Sequence, residues 1–478
     1  MSNTTEYTHD SWRLSARLNR IPVVTRSHIK WAALLTTLLF FDMADLNALA
    51  YALPAIRAEW GLSLGEVGIA TSATFLGMFC GSIIGGRLAD RFGRKRVIIG
   101  ATAFFSLFSM LTATATTVTE LSIYRLLTGA GLQALVVVLL TYAAEMFPRQ
   151  FRGRVQALML GVSLLGVPAL AFFSRWVVPL GTGSWRFVFI AGSAGVLVVI
   201  LAWLWLPESP RWLEGKGRIE EAEKTVLLLE REAEAKWGGP LPEVDTVPAP
   251  IPASKPSDLI RQGLLRRTAV LAIGYGFGLI GYYGFNAWLP LLLTETGLTT
   301  AESLTYTSIL SLAAVPGALI ALLFIDKIER KWAVMMLFVG MGLFMLMFGF
   351  GSGAPMLLTS GLLITFLAFA STTCIYTYMP EIFPTHLRAL GTGTANGIAR
   401  LMAFGSTFIL AAILGSLGFT AVMLFLAIAM ILAGIVIGLL GERTNNRALE
   451  AISSLKSQEP TKVPANATAT TRVGEERI

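Results

Sequence analysis

Apolar residues along this chain fall into stretches of about 20 residues, separated by polar or basic segments. Folded as a helix, a stretch of about that length crosses a hydrocarbon layer about 30 Å thick. The pattern predicts twelve spans, near residues 31–53, 67–86, 97–116, 121–143, 155–178, 187–206, 267–290, 304–325, 332–351, 355–378, 391–413 and 418–440. We therefore expect an all-α integral membrane protein with 12 transmembrane helices.

Charged and turn-forming residues recur at a fixed spacing of 236 residues. Among the repeated pairs are Asp90 and Asp326, Arg94 and Arg330, Lys95 and Lys331, Glu145 and Glu381, Pro148 and Pro384, and Arg152 and Arg388. Because the repeat extends over most of each half, it predicts two homologous six-helix bundles. Two such bundles facing each other are typical of a transporter.

Composition and charge agree with a membrane protein. The chain is 54% hydrophobic and 14% charged, with a mean hydropathy of +0.65, which excludes a soluble protein. Its two cysteines, Cys80 and Cys374, both lie in predicted spans, so we expect no disulfide framework, metal site or cofactor.

Lysine and arginine concentrate in alternate loops and in both terminal segments. Short loops rich in these residues stay in the cytoplasm, so both termini are expected there, in a multi-pass protein of the inner (plasma) membrane. The net charge of +8 then indicates contact with membrane lipid and not with nucleic acid. We expect a monomer.

The chain divides into five predicted parts. They are a cytoplasmic N-terminal segment (1–30), an N-terminal bundle (31–206), a cytoplasmic helical linker (207–266), a C-terminal bundle (267–440) and a cytoplasmic, disordered tail (441–478).

Several loop motifs carry a family resemblance. Residues 86–95, GRLADRFGRK, resemble the signature between the second and third helices of the major facilitator superfamily, and 326–331, DKIERK, resemble its second copy. Residues 145–153, 207–213 and 380–388 resemble loops shared by sugar porters and organic-ion transporters. The motifs occur in order and at the matching places of the predicted topology.

The resemblance implies that the charged residues of these motifs act in gating. They are Asp90, Arg91, Arg94, Glu145, Arg152, Glu208, Arg211, Asp326, Arg330, Glu381 and Arg388. We expect Glu145 to pair with Arg152, and Glu381 with Arg388, as latches that hold the cytoplasmic side shut when the site faces outward. The alternative is that these charges only anchor loops at the lipid headgroups.

Ionisable residues within the spans are rare, and each is a candidate for function because a charge in the membrane is costly. Asp42 and Asp45 lie in the first span, three residues apart and therefore on one face. Arg125 opens the fourth span and Arg400 lies in the eleventh. Two acids and two bases suggest compensated pairs.

Residues 42–45, DMAD, resemble the first helix of aromatic-acid:proton symporters and related bacterial niacin transporters, although Met43 stands where that group usually has glycine. In the related sugar porters, an acid at the second position pairs with the arginine of helix four and carries the coupled proton. The resemblance implies that Asp45 pairs with Arg125 as the proton-coupling site, with Asp42 as the second candidate. The alternatives are recognition of a cationic substrate and a permanent structural ion pair.

Residues 396–400, NGIAR, resemble the eleventh helix of the same group. A guanidinium group binds a carboxylate through two parallel hydrogen bonds, so Arg400 is the candidate for an anionic substrate. The alternative is that Arg400 pairs with an acid of the first helix. The further substrate-binding candidates are Tyr282, Asn286, Gln133, Asn396 and Tyr376.

We expect a secondary active transporter that works by alternating access and imports a small organic ion, an aromatic monocarboxylate such as nicotinate, with a proton. A polyspecific organic cation transporter, a uniporter and a non-transporting membrane sensor are the alternatives. An enzyme is not expected, because the three histidines lie outside the predicted spans and no nucleophile motif or metal-ligand spacing is present.

Overall fold

A computed structural model describes residues 13–243, 256–324, 327–351, 353–384 and 387–444. Within these ranges every regular element is a helix, and eleven helices are long and apolar enough to cross a membrane. They are α1 (Arg26–Trp60), α2 (Leu64–Phe92), α3 (Arg94–Thr112), α4 (Val118–Met146), α5 (Arg149–Leu180), α6 (Arg186–Trp205), α7 (Leu265–Glu295), α8 (Thr300–Ala321), α9 (Arg330–Phe350), α10 (Ala354–Glu381) and a last helix, Arg388–Leu440.

The last helix contains two spans. Its 53 residues are interrupted at Gly418, whose backbone (φ 78°, ψ −172°) is not helical. The contacts that show its course are Gly276 with Met402, Gly284 with Leu410 and Leu426, and Gly274 with Ile437. From Gly276 to Gly284 along α7, the contacted residue before Gly418 changes from Met402 to Leu410, so its number rises. From Gly274 to Gly284, the contacted residue after Gly418 changes from Ile437 to Leu426, so its number falls. The two parts, α11 (388–417) and α12 (419–440), are therefore antiparallel, and all twelve predicted spans are present.

The 236-residue repeat is visible at helix starts. Ser63 caps α2, its hydroxyl accepting a hydrogen bond from the backbone of Glu66, whose side chain accepts one in return. Thr299 and Glu302 begin α8 in the same way. Each reciprocal cap satisfies backbone donors that a helix start leaves unpaired. The two bundles thus share a local structural device as well as a sequence pattern.

Small residues allow α2 and α4 to lie with their backbones in contact. Gly81 faces the backbone of Ala130, and a Cβ atom at Gly81 would lie 2.1 Å from the carbonyl oxygen of Ala130. Gly77 and Gly85, about one turn away on either side, also face the α4 backbone, where an added Cβ would lie 1.9 Å from the carbonyl oxygen of Leu126 and 2.7 Å from the Cα of Ala134. Close backbone approach at small residues is a common basis of helix association in membranes. The pair forms a tightly packed core of the first bundle.

The N-terminal segment packs against the linker. A short helix, Arg13–Asn19, lies on the linker helix Ile219–Trp237, where Glu230 pairs with Arg17 at 2.5 Å and with Arg20 at 2.7 Å. Burial acts to raise the pKa of Glu230, but hydrogen bonds from both arginines hold it below its ordinary value. Two further short helices of the linker are Pro210–Gly215 and Pro256–Arg261.

The proline-rich part of the linker and the C-terminal tail fall largely outside the described residues. The predicted boundaries between the five parts of the chain, and the disorder of the tail, stay predictions.

The bundles have two distinct ends. We call the end with Arg94, Glu145 and the linker helices the linker end, and the opposite one, with Arg57 and Glu295, the far end. At the far end, Arg57 of α1 forms an ion pair with Glu295 of α7. Arg175 of α5 donates a hydrogen bond to Thr305 of α8 at 2.9 Å. These contacts join the two bundles, so the far end is closed in this structure. The cytoplasmic location of the linker end stays a prediction.

Candidate functional site

A cavity of about 40 Å³ lies between the bundles. Residues of α1, α2, α5, α7 and α10 line it, among them Met43, Asn47, Thr74, Phe75, Tyr282 and Asn286. Its wall is aromatic: the ring centroids of Phe75 and Tyr283 are 4.6 Å apart, and Tyr282 packs edge-on against Phe369 at 5.8 Å. This volume holds only a few water molecules, so the bundles must separate to admit an organic ion.

Asp45 and Arg125 form an ion pair inside the first bundle. Arg125 Nη1 lies 3.1 Å from Asp45 Oδ2, and both side chains are 0% exposed. Arg125 Nη2 also donates to the backbone carbonyl of Asp45 at 3.2 Å, and the hydroxyl of Ser109 donates to Asp45 Oδ1. Helix α6 closes the site, since a Cβ atom at Gly192 would lie 2.6 Å from Asp45 Oδ1. Removing either partner would leave an uncompensated buried charge.

Asp42 lies near this pair on α1 but has a different environment. It is 2% exposed, and its Oδ1 has no hydrogen-bond partner among the described residues. A buried carboxylate oxygen without a donor is costly. This atom is therefore a place where a proton or a donor group of a ligand would lower the free energy.

Arg400 of α11 is 4% exposed and is oriented by its own helix. Its Nε donates to Asn396 Oδ1 at 3.0 Å, and its Nη1 lies 3.5 Å from Met78 Sδ of α2. Thioether sulfur is a weak acceptor. Within the described part of the chain, Arg400 makes no ion pair with Asp42 or Asp45, so the alternative of a permanent pair with a first-helix acid is not realised in this structure.

The other predicted substrate residues divide into two groups. Tyr282 and Asn286 line the cavity. Gln133 is buried in α4, and Asn396 holds Arg400, but neither belongs to the described cavity lining. Tyr376 is also outside it: its side chain is 47% exposed, and its hydroxyl accepts a hydrogen bond from Tyr275 at 3.4 Å.

The expected latch pairs, predicted for the state in which the site faces outward, are not formed in this structure, whose far end is closed. Glu145 pairs with Arg94, with Nε···Oε2 and Nη2···Oε1 both at 3.1 Å, and not with Arg152. Glu381 pairs with Arg330 at 3.1 Å, and not with Arg388. Each expected pair spans a helix end, so its members lie on different helices and not two turns apart on one face. The observed pairs are themselves 236 residues apart.

The remaining gating candidates occupy varied places. Asp90 is exposed and lies 3.2 Å from Arg94, and Arg91 is exposed beside the ring of Phe92. Arg211 is half-buried. Asp326 lies outside the described residues. Nε of Arg152, and Nε and Nη2 of Arg388, have no hydrogen-bond partner within the described residues.

Glu208 caps the start of α3. Its Oε1 accepts hydrogen bonds from the backbone nitrogens of Arg94 at 2.8 Å and Lys95 at 3.1 Å. A carboxylate is favoured there by the unpaired N–H groups and the positive end of the helix dipole. Gly93 makes room for it: its φ is +102°, and a Cβ atom there would lie 2.2 Å from Glu208 Oε2.

Replacing Gly93 by alanine is expected to lower the free energy of unfolding by about 1–3 kcal/mol, because the backbone conformation is unfavourable for a side chain and the new methyl group displaces Glu208. Thermal unfolding of the purified protein measures the change. The control is Gly86→Ala in the same motif, where an added Cβ meets nothing within 4 Å. Equal midpoints for the two variants would refute the proposed cap.

Sequence reasoning missed several residues of these sites. Tyr142 and Tyr378, 236 residues apart, donate to the backbone carbonyls of Pro207 and Glu442 at 2.8 Å each. The repeat could have identified them. Ser109 and the cavity residue Asn47 have no comparable signal, because a single polar residue in an apolar helix does not reveal which way it faces.

Comparison with known proteins agrees with this architecture. The model of the Major Facilitator Superfamily matches residues 35–407. The putative metabolite transport protein YyaJ of Bacillus subtilis (strain 168) is 32% identical over 454 residues, covering 92% of this chain and 98% of YyaJ. The niacin transporter NiaP of Acinetobacter baylyi is 30% identical over 418 residues, covering 86% of this chain and 93% of NiaP.

Among solved structures, the inward-open xylose transporter XylE from E. coli superposes with a TM-score of 0.68 at 19% identity, covering 89% of this chain and 99% of XylE. At this identity the likeness shows the fold alone. Together with the family match, it confirms the predicted fold. The chain belongs to the major facilitator superfamily and is a multi-pass transporter of the inner membrane, not an enzyme.

Proposed function

We propose that this transporter moves a small aromatic monocarboxylate together with a proton by alternating access. The observation that carries the proposal is the buried ion pair of Asp45 and Arg125 in the first bundle, where Asp45 lies on the same helix as the cavity-lining residues Met43 and Asn47. Ionisable groups at such depth mark ion and proton paths in transporters. The likeness to a niacin transporter supports an aromatic acid as the substrate.

The substrate is bound from the second bundle. Arg400 holds a positive charge at low exposure, with Asn396 fixing its Nε and leaving guanidinium donors for a carboxylate. Tyr282 and Tyr283, adjacent residues of α7, both line the cavity and provide aromatic surface for a flat ring. A small anion with an aromatic ring satisfies both features.

The proton acts in the first bundle. When the Asp45 carboxylate takes a proton it becomes a neutral acid and holds Arg125 less strongly. When Arg125 again approaches, the neutral acid releases its proton to water on the other side and the ion pair re-forms.

Gating follows from the contacts at the two ends. The ion pairs Arg94–Glu145 and Arg330–Glu381 each lie within one bundle and hold the helices of that bundle together at its linker end. The guanidinium atoms of Arg152 and Arg388 that have no partner here are the groups we expect to engage when the linker end closes. At the far end, Arg57–Glu295 holds the bundles together and must break before that end opens.

The test is uptake of labelled nicotinate or benzoate into proteoliposomes, with and without an imposed inward proton gradient. Accumulation above equilibrium that requires the gradient supports the proposal. Uptake that ignores the gradient would mean a uniporter. Uptake of an organic cation in place of the acids would mean that Asp42, with its unpartnered Oδ1, recognises the cation. Ligand binding without any transport would mean a sensor.

Reversing the charge of Arg57 is expected to shift the protein toward the form in which the far end is open. In Arg57→Glu two acids face each other across the bundles, so the closed form is destabilised; the double variant Arg57→Glu/Glu295→Arg restores the attraction. Exposed ion pairs contribute about 0–1 kcal/mol, so the single variant is expected to increase the population of the form with an open far end several-fold.

The readout is the labelling rate of Ala287→Cys, which lines the cavity, by a membrane-impermeant thiol reagent added to intact cells. The background replaces Cys80 and Cys374 by serine. The labelling rate should rise in Arg57→Glu and fall back in Arg57→Glu/Glu295→Arg to the rate of the protein with the original pair. Equal rates in all three proteins would contradict a role for this pair in closing the far end.

A further inference from the structure

Two asparagines line the cavity from opposite bundles, Asn47 on α1 and Asn286 on α7. Nδ2 of Asn47 donates to the carbonyl of Met43 at 2.8 Å, and Nδ2 of Asn286 donates to the carbonyl of Tyr282 at 2.9 Å. A backbone carbonyl can only accept, so this contact fixes which end of each amide faces its own helix. The carbonyl oxygen of each side chain, and its second N–H, are left for a ligand.

A third polar group lies in the same wall. Thr74 of α2 is 4% exposed, and its hydroxyl has no hydrogen-bond partner within the described part of the chain. Thr71, one turn earlier, also lines the cavity, but its hydroxyl donates to the carbonyl of Val67 at 2.9 Å. Buried polar groups are usually hydrogen-bonded, so the Thr74 hydroxyl marks a place for a ligand atom.

We propose that Asn47, Thr74 and Asn286 form a neutral polar subsite that binds a hydroxyl group on the ring of an aromatic acid. The inference rests on the proposed function and narrows its substrate class. Arg400, which lies outside the described cavity lining, takes the carboxylate once the bundles separate, and the three neutral groups take the ring substituent.

The chemistry of the subsite selects a hydroxyl group. A hydroxyl donates to an amide oxygen and accepts from an amide N–H or from the Thr74 hydroxyl, whereas an unsubstituted ring edge does neither. The ring nitrogen of nicotinate can only accept. The described lining contains no Asp, Glu, Lys, Arg or His, so a second charged group on the ring would be buried without compensation.

The experiment compares competitors of labelled benzoate uptake in proteoliposomes: unlabelled benzoate, nicotinate and the three hydroxybenzoate isomers. A site built to bond a hydroxyl discriminates against an analogue that lacks it, because its own polar groups are then left unpaired. We expect at least one hydroxybenzoate to compete roughly tenfold better than benzoate in the wild-type protein.

Two substitutions test whether Thr74 and Asn47 cause the preference for a hydroxybenzoate over benzoate. Thr74→Val and Asn47→Leu are expected to bring the ratio of benzoate to hydroxybenzoate inhibition constants close to one. Thr71→Val, a change of the same kind one turn away, removes a hydroxyl that is already satisfied and should leave the ratio as in the wild type. Because the ratio is measured within each variant, a lower yield of active protein does not affect it.

Two results would overturn the inference: no advantage for any hydroxybenzoate, or an advantage that persists in both Thr74→Val and Asn47→Leu. Failure of the proposed function looks different. In that case neither benzoate nor any other acid in the set is taken up or bound by the wild-type protein.

Discussion

Replacing Asp45 by asparagine is expected to abolish accumulation of substrate against its own gradient. Asparagine keeps the size of the side chain and can still accept from Arg125 and Ser109, but it cannot carry a proton. With one proton per substrate, a pH difference of one unit supports about tenfold accumulation, since 1.4 kcal/mol corresponds to a factor of ten. We expect that factor to fall to one in Asp45→Asn.

Exchange of labelled for unlabelled substrate, measured without a gradient, is the matched control for this variant. Exchange does not require net proton movement, so it should persist in Asp45→Asn and show that the protein is folded and binds its substrate. Asp42→Asn, the same change three residues earlier on α1, assigns the role. Accumulation that survives in Asp45→Asn but is lost in Asp42→Asn would place the coupling proton on Asp42.

Replacing Arg400 by alanine is expected to remove high-affinity binding of the aromatic acid. Truncating one partner of a buried, hydrogen-bonded charge pair costs about 2–5 kcal/mol, which is a loss of about 30-fold or more in affinity. Arg400 is 4% exposed, and its charge has no competing carboxylate at ion-pair distance among the described residues. Isothermal titration or substrate-induced stabilisation of the purified protein measures the change.

The control for this variant is Arg400→Lys, which keeps the charge but lacks the planar group that binds a carboxylate through two hydrogen bonds. Its affinity should fall between those of the wild type and Arg400→Ala. If the acid binds Arg400→Ala as tightly as the wild type, the carboxylate lies elsewhere. Tighter binding of an organic cation to Arg400→Ala would favour the organic-cation alternative.

The sequence predicts the helices better than it predicts their contacts. Apolar length marks every span, because the thickness of the membrane sets that length whatever the neighbouring helices are. The pairing of Asp45 with Arg125 was implied by family resemblance and not by spacing, since 80 residues separate them along the chain. Only the packing of α1 against α4 brings them together.

The loop motifs give a second case in which spacing along the chain does not determine the partner of a charged residue. Glu145 and Arg152 are seven residues apart, which would place them on one face of an unbroken helix. The chain instead becomes extended at Phe147 (φ −99°, ψ 142°) before the next helix begins, so that spacing has no geometric meaning. Asn47 was missed for a related reason: the rotation of α1 about its axis is set by its neighbours and not by its own sequence.

The repeated pairs Arg94–Glu145 and Arg330–Glu381 also bear on how the protein is made. The members of the first pair are 51 residues apart, and the second pair has the same spacing. Domains emerging from the ribosome generally fold as units, N-terminal first. Each half therefore holds both members of its own pair, and the first half can complete its pair before the second has been synthesised.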